Sequence, residues 1–274
     1  MIKRILVGLA GTSCTSVAIE RAVTLAKNHD SEVTGVTVVD VNRIHLEGIG
    51  RVKAQNRDLT AERVQIARSQ ARQCIGEFES ACQAANIKHR IVEEWGDAFT
   101  TLVDQARYHD LMVFGQRSVF EHDFLKSNPE SLLVRLVGAG VRPLIAVSEK
   151  YRSISRVVIA YSGTMESAKA MKRFVQMRLW PNAELKIVTF HPSDSQAYDL
   201  VRAAEEYCRA HGFRVCHQSN LGDPKLLLLA AATLWQADMI VMGNSARSVL
   251  LRNVLGDTLQ ATLRDTPIPL FLAQ

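Results

Sequence analysis

The chain repeats itself, and the repeat restricts its fold more than any other feature. Arg4-Ile5-Leu6-Val7-Gly8-Leu9-Ala10-Gly11-Thr12 recurs as Arg156-Val157-Val158-Ile159-Ala160-Tyr161-Ser162-Gly163-Thr164. Gly96-Asp97 followed by Asp110-Leu111-Met112-Val113-Phe114-Gly115 recurs as Gly222-Asp223 followed by Asp238-Met239-Ile240-Val241-Met242-Gly243. Pro143-Leu144-Ile145-Ala146-Val147 recurs as Pro269-Leu270-Phe271-Leu272-Ala273. Matches that keep the same order mean two copies of one architecture, each able to bury its own core.

Within each copy, short Val/Ile/Leu runs alternate with longer helical segments, the pattern of a parallel sheet covered by helices on both faces. The first copy predicts strands near Ile2–Leu9, Glu32–Val39, Lys88–Glu93, Leu111–Phe114 and Leu144–Val147. The second predicts Val157–Tyr161, Leu185–Phe190, Arg214–Gln218, Met239–Met242 and Leu270–Leu272. Helices are expected over Ser16–Ala26, Ala61–Ala85, Asp97–Arg107, Thr164–Met177, Ala197–Ala210 and Lys225–Trp235. The charged, Gly-containing stretch Asp40–Asn56 reads as a mobile loop, and Ser148–Ser153 as the linker. The domains are thus expected at residues 1–148 and 154–274.

Composition agrees with two cores. The 274 residues are 47% hydrophobic and 22% charged, which is globular rather than disordered. No apolar run approaches the ~18 residues of a membrane span, and the amino terminus lacks a secretory pattern, so a cytoplasmic protein without membrane contact is expected. The five cysteines show no C-x-x-C pairing and read as mostly buried reduced thiols rather than disulfides or a zinc site. A net charge of +5 raises the question of nucleic acid. The basic residues from Arg51 to Arg72, however, share a helical stretch with Asp58 and Glu62 and lack interleaved aromatics, which reads as a solvated face and leaves nucleic-acid binding a minor alternative.

The stretch Met239–Thr258 carries the chemistry. An apolar strand ends at Gly243, the small residues Asn244-Ser245-Ala246 follow, and Gly256 precedes Asp257-Thr258 after nine intervening residues. Small residues let backbone N–H groups approach a phosphate, and a helix start adds partial positive charge. The spacing resembles the G-x2-G-x9-G-[ST] signature of the universal stress protein family, with Ala246 at the middle glycine and Asp257 at the Ser/Thr position. The resemblance covers the chain as a tandem member. It implies two α/β doubly wound domains, each a five-stranded parallel sheet of order 3-2-1-4-5. It also places an adenine nucleotide (ATP, ADP or AMP) at the carboxyl ends of strands one and four, where the strand order reverses. The family's nucleotide binders carry an Asp after strand one, and here Ala10 and Ser162 stand there.

The two copies differ at this loop. In the first, Ser118 takes the middle position and Asn128-Pro129 stands where Gly-[ST] belongs; Pro129 has no N–H to offer, Gln116 and Arg117 are bulky, and Glu121 and Asp123 add negative charge. It reads as a pseudo-site. In the second, Arg247 and Arg252 offset Asp257, Thr258 supplies a hydroxyl, and a Mg2+ bridge would turn Asp257 into a ligand. The nucleotide-binding set is therefore Ala160, Tyr161, Ser162, Met242, Gly243, Asn244, Ser245, Ala246, Gly256, Asp257 and Thr258. A plain strand-loop-helix connection without ligand is the competing reading.

No catalytic or metal-binding set emerges. Asp97 and Asp223 each precede a helix and read as N-caps. His89, His109, His122, His191, His211 and His217 lack ligand spacing and read as surface or loop residues. Tyr161 reads as a packing residue able to stack on a base. The expected function is a non-enzymatic stress-response protein that senses an adenine nucleotide. The alternative is a ligand-free interaction module acting through its dimer surface. The apolar final strands imply intramolecular pairing of the two domains, and a homodimer of chains is expected.

Overall fold

A computed structural model describes residues 2–39, 56–116, 130–141, 143–191, 194–243 and 257–273. The chain forms two compact units, Ile2–Leu136 and Val137–Gln274. Both are α/β. The expectation for Asp40–Asn56 lies outside the described residues except for Asn56, which begins a helix.

In the first unit, strands β1 (Arg4–Gly8), β2 (Glu32–Val39), β3 (His89–Trp95) and β4 (Leu111–Gly115) form a parallel sheet of order β3-β2-β1-β4. β1 and β4 are buried along nearly their whole length, as their unbroken aliphatic runs require. Helices α1 (Thr15–His29) and α2 (Asn56–Ala84) pack on each other and on the sheet. Gly35 of β2 faces this layer, since a Cβ there would lie 3.0 Å from the Phe78 ring of α2. The adjacent Thr34 faces the other way, where its hydroxyl meets His109 just beyond α3 (Ala98–Ala106). This alternation puts helices on both faces. Asp97 caps α3 by accepting the Thr100 amide at 2.7 Å, as expected.

Helix α4 (Glu130–Gly138) leads to β5 (Leu144–Val147). The second unit continues with β6 (Arg156–Ala160), α5 (Met165–Met177), β7 (Glu184–Phe190), α6 (Asp194–Ala210), β8 (Arg214–Asn220), α7 (Pro224–Leu234), β9 (Met239–Gly243), α8 (Asp257–Asp265) and β10 (Leu270–Ala273). Its strand order is β5-β10-β9-β6-β7-β8, so the second copy has the expected 3-2-1-4-5 arrangement in full, all parallel. The first copy follows that order through its fourth strand. Its fifth, β5, belongs to the second compact unit, where it pairs antiparallel with β10, Ile145 opposite Phe271. Both strands are buried throughout, and pairing removes two apolar edges. The division by packing therefore falls ahead of the linker read from the repeat.

Two aspartates of the repeat tie each sheet together. Asp110 Oδ2 accepts the amides of Lys3 and Arg4 at 2.7 and 3.0 Å. Asp238 Oδ2 accepts the amides of Ser155 and Arg156 at 2.9 and 2.8 Å. Each carboxylate thus holds the entry to its copy's first strand beside the entry to its fourth.

Candidate functional site

The site is built around the first turn of α5. Tyr161 continues the line of β6 by donating its amide to Val188 O at 2.9 Å, and Gly163 turns the chain at φ 73°, as Gly11 does at φ 71° in the first copy. A side chain at Gly163 is disfavoured by this positive φ, and it would also press on Leu200 of α6, whose Cδ2 would lie 3.2 Å from its Cβ. Thr164 then caps α5: its Oγ1 accepts the Ser167 amide at 3.3 Å, and Ser167 Oγ donates back to Thr164 O at 2.9 Å. The Ser162 amide donates to Ser167 Oγ at 3.3 Å, and the Ser162 and Thr164 hydroxyls are 3.1 Å apart. The result is a cluster of hydroxyls at a helix start, with Ser162 and Thr164 exposed and Ser167 buried.

Gly243 closes β9 directly against this turn. A Cβ on it would strike Glu166 O and lie 2.6 Å from the Glu166 carbonyl carbon and 2.9 Å from Ser167 N. Glycine is required here by helix–strand approach, before any ligand is considered. Met242, one residue earlier, is buried. The structure thus brings Ala160, Tyr161, Ser162, Met242 and Gly243 to the carboxyl ends of β6 and β9. Asp257 and Thr258 open α8, with Thr258 O accepting the Thr262 hydroxyl at 2.7 Å. Asn244, Ser245, Ala246, Gly256, Arg247 and Arg252 lie outside the described residues, as do Arg117, Ser118, Glu121, His122, Asp123, Asn128 and Pro129 of the first copy.

Tyr161 is half-buried, and burial, with the nearby Cys208 adding, pushes its phenol above the usual value of 10.0. Burial likewise raises the Cys208 thiol to about 12 and Cys82 to about 11. None of the five cysteines is in a disulfide; Cys14, Cys74, Cys82 and Cys208 are buried and Cys216 is half-buried.

Asp223 accepts the Lys225 amide at 2.9 Å and caps α7, the role expected for it. The histidines do not all follow expectation. His109 is buried: Nδ1 donates to Gln105 O at 2.6 Å and Nε2 accepts the Thr34 hydroxyl at 2.9 Å. His217 lies in β8, with Nδ1 3.1 Å from the buried Glu205 carboxylate. Among the described residues no group of three or more His, Cys, Asp or Glu side chains could hold a metal ion. Among the same residues no helix is long and apolar enough to cross a membrane.

Sequence reading passed over Thr164 and Ser167. Their signal is a repeat of its own, Thr12-x2-Thr15 in the first copy and Thr164-x2-Ser167 in the second, a cap hydroxyl followed by a second polar residue at N3. The first copy uses its pair differently: Cys14 stands at the N-cap of α1, and the Thr12 amide donates to Thr15 Oγ1 at 2.9 Å. The turns also differ in access. Leu9 and Ala10 are buried, whereas Tyr161 is half-buried and Ser162 exposed.

This arrangement of strand ends, turn and helix start belongs to a known family. The sequence model of the Universal stress protein family matches residues 1–135 and 192–274, and the chain belongs to that family. A universal stress protein from Synechocystis is 22% identical over 218 residues, covering 77% of this chain and 75% of its own. Among solved structures, a universal stress protein from Archaeoglobus fulgidus is similar over 99% of this chain and 96% of its own, at 19% identity and a TM-score of 0.71. A universal stress protein from Pseudomonas aeruginosa is similar over 99% and 93%, at 14% identity and a TM-score of 0.64. At these identities the structural likeness speaks for the fold.

Proposed function

We propose that the chain is a cytoplasmic stress-response protein whose second copy binds an adenine nucleotide as a signal, without turning it over. The observation that carries this is the open β6–α5 turn: Ser162 and Thr164 present hydroxyls to solvent beside Gly243, where the first copy buries Leu9 and Ala10. That turn lies at the strand-order reversal, the position at which open α/β sheets take ligands. The hydroxyls replace the carboxylate of the family's nucleotide binders and offer the ribose neutral partners. The phosphates would lie on the loop from Gly243 to Thr258, with Mg2+ between Asp257 and the terminal phosphate.

The test is titration calorimetry of the full chain with ATP, ADP and AMP, with and without Mg2+, together with mass spectrometry of small molecules released by heating. One nucleotide per chain is expected, with affinity lost in a Ser162→Leu variant that keeps its melting temperature. Two per chain, or none at millimolar nucleotide, overturns the reading. Pairing of the two domains within the chain, and of two chains in a homodimer, belongs to the same proposal.

A further inference from the structure

The two copies end their second helix with the same turn but finish the space beside it differently. After α6, Gly212 N–H donates to Arg209 O at 2.9 Å and Phe213 N–H to Cys208 O at 3.2 Å. After α2, Asn86 N–H donates to Gln83 O at 3.0 Å and Ile87 N–H to Cys82 O at 2.8 Å. Gly212 and Asn86 both have positive φ, 83° and 54°. Strand register fixes the correspondence, since Val33 pairs with His89 as Leu185 pairs with Val215. His211 therefore answers to Ala85 and, counted back from Val33 and Leu185, Arg178 answers to Ala26.

In the second copy Arg178 spans the gap between the end of α5 and this turn. Its Nη1 donates to His211 O at 2.7 Å, and its guanidinium carbon lies 5.7 Å from the Phe213 ring centroid. The first copy has Ala26 and Ile87 in those two places, and between them lies a cleft of about 580 Å³. That is the size of a small-molecule site. Ala85 lines it, and Ala85 O, the counterpart of His211 O, accepts no hydrogen bond among the described residues. The cleft lies at the amino ends of β1, β2 and β3, so it is separate from any site at the carboxyl ends.

Its walls carry both signs of charge. Lys3 Nζ is 2.7 Å from Asp30 Oδ2, Arg4 Nε 2.8 Å from Glu32 Oε1 and Lys88 Nζ 3.5 Å from Glu32 Oε2. The second copy keeps Arg156, Glu184 and Arg214 in the places of Arg4, Glu32 and Lys88, and it receives Arg178 all the same. A helix-end carbonyl carries the negative end of the helix dipole, and a guanidinium is weakly hydrated enough to lie there. Lys27 adds what the second copy lacks. It stands where that copy has Leu179, is exposed, and makes no ion pair among the described residues.

We propose that this cleft binds a guanidino acid, its guanidinium on Ala85 O as Arg178 lies on His211 O, and its carboxylate on Lys27. Arginine, free or as the last residue of a peptide, has that chemistry. The second copy carries the guanidinium in its own chain.

Titration calorimetry of the full chain with L-arginine, γ-guanidinobutyrate, agmatine and L-citrulline tests this. One site per chain is expected for the first two. Citrulline has the same shape without the charge, and agmatine lacks the carboxylate; each should bind at least about tenfold more weakly, the loss expected from one charge-assisted hydrogen bond. Lys27→Ala, at an exposed position, should keep the wild-type melting temperature, weaken γ-guanidinobutyrate by a similar factor and leave agmatine unchanged. Arg178→Ala, also exposed, should melt lower and gain a second site that takes agmatine, because Leu179 offers a carboxylate nothing. Gly-Gly-Arg bound as tightly as arginine assigns a chain end as the source, and weaker binding assigns the free amino acid. Absence of binding at millimolar concentration, citrulline bound as well as arginine, γ-guanidinobutyrate unaffected by Lys27→Ala, or an Arg178→Ala chain with no second site overturns the proposal.

Discussion

The ring of Phe114 occupies the space that a side chain on Gly8 would need: a Cβ built on Gly8 meets Phe114 Cδ1 and lies 2.7 Å from Cε1. The second copy places Ala160 and Met242 at the same two positions. A bulky ring against a glycine has been exchanged for a slimmer, flexible chain against an alanine, at the strand ends where the copies also differ in access. Gly8→Ala is therefore expected to destabilise the protein by about 1–3 kcal/mol through overpacking. Adding Phe114→Met should recover part of that loss, giving a coupling of at least about 0.5 kcal/mol. Urea unfolding of the wild type, both single variants and the double variant measures it; strict additivity would show that the ring and the glycine are not matched.

Gly243 separates packing from binding. Its neighbours are the backbone atoms of Glu166 and Ser167, which cannot swing aside as a side chain can. Gly243→Ala should cost about 1–3 kcal/mol of stability in protein stripped of small molecules. If the stripped variant melts at the wild-type temperature and only nucleotide affinity falls, the glycine serves the ligand alone.

His109 makes stability depend on pH. Burial is the chief cause holding its pKa below the ordinary 6.5, and the positive charges of Arg4 and Arg90 add to it, against opposing contributions from the Gln105 carbonyl and Glu32. The unfolded chain then takes up a proton near 6.5 that the folded chain refuses. Stability is full above that value and is lost as pH falls from it toward the lowered folded value. Unfolding free energies at pH 7.5 and 5.5 should differ more for the wild type than for His109→Gln, which keeps a polar group but does not titrate. An unchanged difference would remove His109 as the cause.

Asp110 and Asp238 predict paired effects. Replacing either by alanine takes the acceptor from two backbone amides at strand entry, at a cost of about 1–2 kcal/mol. Each loss should appear as faster amide hydrogen exchange in its own copy, at Lys3 and Arg4 or at Ser155 and Arg156. Exchange that quickens equally in both copies would point to a global rather than a local role.

The parts that sequence made legible are those governed by local pattern. Buried aliphatic runs announced strands such as Leu111–Gly115 and Met239–Gly243, and an aspartate after glycine announced the caps of α3 and α7. The parts that stayed hidden depend on partners far away in the chain. Nothing near Asp238 reveals that its carboxylate serves amides 82 and 83 residues earlier. Nothing near His109 reveals that Thr34, 75 residues away, will enclose it. Gly243 was read as phosphate-binding because its sequence neighbours are small, while its packing partner Glu166 belongs to a distant helix.

The position of β5 separates the unit of duplication from the unit of folding. A gene fragment cut at the repeat boundary, residues 154–274, would carry every strand of its own copy yet leave the outer edge of β10 bare. Its open row of amides and carbonyls invites any available strand. A fragment beginning at Val137 carries β5 as its own cover. Dissection of this chain by its internal homology would thus strip β10 of its antiparallel partner, whereas dissection ahead of Val137, where packing changes hands, keeps β5 and β10 together.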